Sequence, residues 1–166
     1  MKGYIFKNRI LIFIILIWPF IFLSPLTFGF LAIGNDFDLI YFSYKRYIAE
    51  MLSVGVIPLW SPVDGGGFSL IFNPFAQYFY LPGWTLYIIH FVTKNLSLHI
   101  FLLYTILAIS IFSLGIFYWL KSLKIDQTIA FFSALIIACS LKVTELLRFP
   151  NAAHAIAWVP WALYGI

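Results

Sequence analysis

An all-α, polytopic transmembrane helix bundle is the fold class this sequence predicts, and three observations predict it. Hydrophobic residues make up 63% of the 166 and charged residues only 10%, well outside the balance of a soluble domain. Apolar runs close to the about 20 residues needed to cross a ~30 Å hydrocarbon core recur along the chain. The interiors of those runs carry almost no ionisable side chain.

The first run, residues 10–33 ("ILIFIILIWPFIFLSPLTFGFLAI"), follows Lys2, Lys7 and Arg9, so the positive-inside rule puts the N-terminus in the cytoplasm. A secretory signal has the same order of charge and apolar run, but this run is too long and no small-residue cleavage site follows it. Pro19 and Pro25 kink the expected first span.

Residues 34–95 read as an outer loop, because Asp36, Asp38, Lys45, Arg46, Glu50 and Asp64 fall there without a run long enough to cross. Within it the spacing predicts a helix over 38–54 lying along the membrane surface. Leu39, Phe42, Ile48, Met51 and Leu52 form its apolar stripe, and Lys45, Arg46 and Glu50 are set away from it. Gly55 and Pro58 end this helix, and "SPVDGGGF" forms a tight turn whose glycines permit positive φ or a close approach. Residues 78–92, short and rich in Tyr and Trp, suit a second surface-lying or re-entrant helix, with a crossing as the alternative.

Residues 96–120 read as a second span and residues 125–143 as a third, with Lys121 and Lys124 between them on the cytoplasmic side. Residues 155–166 begin a fourth that about 12 residues cannot finish, so a C-terminally truncated single membrane domain, multi-pass in the cell membrane, is expected.

Several function classes are excluded by what the chain lacks. Cys139 is the single cysteine, so no internal disulfide forms. The net charge of +4 contains no Lys/Arg run that would engage nucleic acid. "DGGGF" lacks the Lys and Ser or Thr of a phosphate loop, no Cys or His pair has zinc spacing, and no Gly-x-Ser-x-Gly elbow is present.

Chemistry-bearing residues concentrate on the expected outer side, where every acidic residue except Asp126 falls. Asp36 and Asp38 in "GNDFD" directly follow the first run, where a partly desolvated carboxylate can take a proton from a sugar hydroxyl or hold a divalent cation. Solvated loop acids marking the edge of lipid are the bland alternative. In "KVTELLRFPNAAH", Lys142, Glu145 and Arg148 sit three apart on one helical face. They either pair with one another or offer a bidentate Arg and a Lys point charge to a lipid-linked phosphate. His154 opens the last run, as a titrating donor or a structural histidine.

The segment "GND" followed by "YKRYIAEMLSVGVIPLWSPVDGGGFSLIFNPFAQYFYLPGWTLY" resembles the first outer loop of the YfhO-like branch of bacterial membrane glycosyltransferases of the GT-C superfamily. Asp36, Gly55, Pro58, Leu59, Trp60, Pro62, the turn 65–67, Asn73 with Pro74, and Tyr80 near Pro82 carry the likeness. "RFPNAAHAIAWVPW" resembles that family's His before a Trp-x-Pro helix start. Ser61 stands where the family has Asn, and Leu81 is inserted before Pro82.

The resemblance implies a GT-C-like N-terminal part with juxtamembrane helices in the first outer loop, which favours a surface-lying segment 78–92. It implies transfer of a sugar from a polyprenyl-phosphate-linked donor, with Asp36 or Asp38 as catalytic acid-loop residue. It further implies substrate contacts from Trp60, Asn73, Tyr80, Lys142, Glu145, Arg148 and His154; interfacial anchoring is the other role for Trp60 and Tyr80. A divalent cation is an open option, membrane lipid is an implied partner, and the acceptor is left open. The rivals are a non-catalytic transport or scaffold component and an inactive fragment.

Overall fold

The computed structural model describes residues 2–62 and 66–166, with side chains from residue 9 onward in those ranges. Val63, Asp64 and Gly65 of the expected turn lie outside the described residues. The described chain is mostly helical: α1 (Lys2–Phe22), α2 (Ser24–Thr27), α3 (Ser43–Ser53), α4 (Trp84–Thr93), α5 (Leu98–Ser122), α6 (Gln127–Ala138), α7 (Leu141–Glu145), α8 (Pro150–Ile156) and α9 (Val159–Tyr164). A short antiparallel hairpin, β1 (Trp60–Ser61) and β2 (Phe68–Ser69), pairs Trp60 with Ser69 and Ser61 with Phe68.

The expected polytopic bundle is overturned. Among the described residues α5 alone is long and apolar enough to cross a membrane by itself, and α6 with Leu141–Arg148 reaches that length only across a 43° bend. Over its apolar window α5 is 72% buried inside the protein.

The other expected spans are broken by identifiable local chemistry. Pro19 stays inside α1, but the helix ends at Phe22, and Ser24 with Pro25 opens a new short turn, where a missing N–H costs nothing. Gly29, at φ +77°, then takes the chain out of helix well short of residue 33. In the expected third span α6 stops at Ala138, and Ser140 adopts an extended ψ of 150° before α7. Residues 155–166 are divided between α8 and α9, with Pro160 in the first turn of α9.

The chain forms two compact units, residues 33–104 and residues 1–32 with 105–166. In the second unit α6 buries Ala130, Ala134 and Ala138 completely, a small-x-x-x-small stripe that lets helices approach closely. Buried hydroxyls there find carbonyl acceptors: Ser110 donates to Leu16 O at 2.7 Å and Ser113 to Ala134 O at 3.0 Å. The Trp161 indole seats over Gly115, where a Cβ would come within 2.7 Å of its Nε1, and donates to Ile111 O at 3.0 Å. Asp126 starts α6 by accepting from Thr128 N at 2.8 Å and Ile129 N at 3.4 Å. These bonds hold its carboxyl below the usual carboxylate range.

The unit of residues 33–104 is built differently. Phe37–Phe42 forms a π-helical stretch that runs directly into α3. Its rings gather on Phe101, with Phe37 at 5.0 Å and Phe42 at 5.8 Å between centroids, while Tyr41 meets Phe75 edge-on at 5.6 Å. Gly55, at φ +79°, closes α3: Val56 N bonds Met51 O and Gly55 N bonds Leu52 O, the paired bonds of a left-handed helix stop. Gly67, at φ +102°, lies against Trp60, whose indole would clash with any Cβ there.

Candidate functional site

The amphipathic stripe expected over residues 38–54 is rotated in the structure. Lys45, expected on the polar side, is 1% exposed beside buried Tyr41, Ile48 and Ala49, whereas Leu39 is 72% exposed. Lys45 lies within regular α3, three and four residues before the buried Ile48 and Ala49, so ordinary helical spacing puts it on their face. Tyr41, Lys45, Ile48 and Ala49 then share one face at helical spacing.

Lys45 Nζ donates to Gln77 O at 3.3 Å and to Tyr87 Oη at 3.5 Å, and lies 5.7 Å from the Tyr87 ring centroid. A Cβ on Gly83 would come within 3.2 Å of Nζ and 3.4 Å of Tyr104 Oη, so glycine leaves the room in which the amine sits. Among the described residues no carboxylate pairs with it, and burial lowers its pKa to about 7. Burial, reinforced by Tyr78, pushes the Tyr87 phenol up in turn. His90, one turn beyond Tyr87 on α4, is buried with no partner for Nδ1 among the described residues.

The residues expected to act on substrate sit around this cluster or in the other unit. Asp36 is exposed, directly after Asn35, which is held at φ +62°. Its charge adds to the effect of burial in raising the Tyr41 pKa. Asp38 is half-buried, and its Oδ1 accepts from Leu39 N at 2.9 Å. Trp60 is 55% exposed with its indole on Gly67, and its carbonyl accepts from Tyr47 Oη at 3.5 Å. Asn73 is committed to its own turn, Oδ1 accepting from Phe75 N at 2.9 Å. Tyr80 is half-buried, its carbonyl accepting from Gly83 N at 2.9 Å and its ring edge 3.7 Å from a Gly83 Cβ position.

In the other unit Lys142 and Glu145 form an exposed ion pair at 3.8 Å, and Arg148 lies 5.9 Å from the Phe149 ring. His154 is 1% exposed in α8. Among the described residues no three His, Cys, Asp or Glu side chains are grouped to hold a metal ion.

The sequence reading missed Lys45, Tyr87, Tyr104 and His90. The available signal was "YFSYKRY", where one lysine stands among tyrosines at helical spacing, and the glycine of "LPGW". No family model, curated protein or solved structure matches this chain.

Proposed function

We propose that this chain serves membrane-associated transfer of a sugar from a polyprenyl-phosphate-linked donor at the outer face of the cell membrane, with its N-terminus cytoplasmic. The observation that supports it is the make-up of residues 33–104. There an acid-bearing turn leads into α3, and the ten-residue α4, with Trp84, Ile88, Phe91 and Val92 exposed, precedes the long apolar α5. An exposed Asp36 is open to an acceptor hydroxyl, whereas Asp38 has committed one oxygen to Leu39 N.

In the proposed step the acceptor oxygen bonds to the anomeric carbon as its proton passes to Asp36. The anomeric carbon–oxygen bond breaks, and the electron pair leaves with the lipid phosphate. A non-catalytic membrane component is the second reading. It is favoured by the exposed Lys142–Glu145 pairing, which leaves that lysine already engaged.

The test is Asp36→Asn in the protein expressed from its natural coding sequence, assayed for lipid-linked sugar transfer in membranes. A loss of about 100-fold or more is expected, the usual weight of a positioned base, with a smaller loss for Asp38→Asn. Unchanged turnover removes Asp36 from the reaction.

A further inference from the structure

Residues 71–83 run from β2 to α4 as a chain of turns. Their turn bonds are local: Ala76 N donates to Asn73 O at 3.1 Å, Tyr80 N to Gln77 O at 3.1 Å and Gly83 N to Tyr80 O at 2.9 Å. The segment is pinned on its inner side, where Ala76 is fully buried, Tyr78 nearly so, and Phe75 meets Tyr41 of the π-helical stretch edge-on at 5.6 Å. Its outer side carries Phe72, Phe79 and Leu81, all exposed.

One residue of the segment is strained. Gln77 sits at φ +47°, a left-handed conformation disfavoured for any residue with a Cβ and kept only where surrounding contacts enforce it. In that conformation its carbonyl accepts from Lys45 Nζ at 3.3 Å, a bond from α3 that spans 32 residues of sequence. The amine lies against the end of the same segment, since a Cβ on Gly83 would come within 3.2 Å of Nζ.

The ionisable groups around Nζ are mostly phenols. Tyr41 shares its face of α3, while Arg46 and Glu50 pair with each other in solvent. α4 contributes Tyr87 and His90, with Lys94 at its end over the Phe91 ring; α5 contributes Tyr104, with His99 at its exposed start. The segment itself adds Tyr78 and Tyr80, and the field of Asp36 reaches Tyr41. Burial pushes the Tyr87 and Tyr104 phenols up, so both stay neutral between pH 6 and pH 9 while Lys45 changes charge.

We propose that residues 71–83 form a strap, clasped to α3 by the bond from Lys45 to the strained Gln77, which opens as a unit while α3 and α4 stay folded. Charging the amine costs the closed strap but not the open one, where Nζ meets water, so acid opens it. The strap's opening is read by thiol exposure rather than by turnover, so it and sugar transfer stand or fall separately.

Cys139→Ser removes the chain's only thiol and supplies the background for the test. Ala76→Cys then puts a thiol beneath the strap, and Ala49→Cys puts one on the buried face of α3. Alkylation by iodoacetamide, with each rate divided by that of the same variant unfolded in guanidinium at the same pH, gives the open fraction. The Ala76→Cys thiol is expected to be open about tenfold or more of the time relative to the Ala49→Cys thiol at every pH, as a sub-global opening requires. Its open fraction should rise about tenfold per unit as pH falls from 9 to 7 and level off below. Lys45→Met should flatten that profile, which separates Lys45 from His90. Gln77→Gly, which relieves the left-handed strain, should lower the open fraction about fivefold at each pH. Exchange of the Tyr80 and Gly83 amides against that of Ile48 reads the same opening in the unsubstituted protein. Equal opening of the two thiols and of the two sets of amides overturns the proposal. So does a flat profile from pH 9 to 7, a slope that survives Lys45→Met, or an open fraction unmoved by Gln77→Gly.

Discussion

The two compact units solve the problem of burying polar groups in opposite ways. In the helical unit of residues 1–32 and 105–166, the buried hydroxyls of Ser110 and Ser113 bond carbonyls at 2.7 and 3.0 Å, and Ala130, Ala134 and Ala138 bring backbones together. Residues 33–104 pack rings against rings and bury an amine beside phenols, at 3.3 and 3.5 Å from its acceptors. A satisfied hydroxyl carries no charge to gain or lose. A buried lysine changes the stability of its surroundings whenever pH crosses its pKa, and that difference teaches where condition-dependence is concentrated.

The ring-packed unit can be broken at Phe101, which meets both Phe37 and Phe42. Phe101→Ala should destabilise residues 33–104 by about 3–5 kcal/mol, combining lost burial with the cavity left behind. Denaturant unfolding followed by hydrogen exchange checks this, and the loss should be greater than any single truncation of an alanine-lined contact can produce.

The opposite change sharpens the contrast. Ala134→Leu inserts volume where Ala134 is fully buried and its carbonyl accepts from Ser113. It should cost the helical unit about 1–3 kcal/mol by overpacking and leave the pH response of residues 33–104 unaltered. Thermal unfolding at two pH values reads both effects.

What the sequence made legible follows the same division. The run that became α5 has no proline and only Gly115 in its interior, so its helical character stands out, and Gly55 marks the end of α3 by its fit to a left-handed stop. Length and hydropathy could not show that α5 is covered by protein, because an apolar core helix and a span share one composition. The break at Cys139 and Ser140 carries neither proline nor glycine, so no local signal announced it. Lys45 was misplaced because lysine is rarely buried, although its spacing to Ile48 and Ala49 already put it on the buried face of α3. Of the candidate site, Asp36 and Asp38 were readable as acids at the end of an apolar run. The phenols around Lys45 come from residues as distant as Tyr87, which only folding unites.

The most direct test of this contrast is the pH dependence of local stability. Lys45 has a folded pKa of about 7 against 10.5 unfolded. Below about 7 both states hold the proton and the folded unit bears the full cost of a buried charge; between 7 and 10.5 only the unfolded state holds it, so stability rises with pH. Native-state hydrogen exchange between pH 6 and pH 9, corrected for intrinsic exchange, should show protection of residues 33–104 increasing while that of α6 stays level. Lys45→Met should remove the increase and raise stability at pH 6. An equal pH response in both units, or one that survives Lys45→Met, would contradict the assignment of Lys45 as the buried charge of residues 33–104.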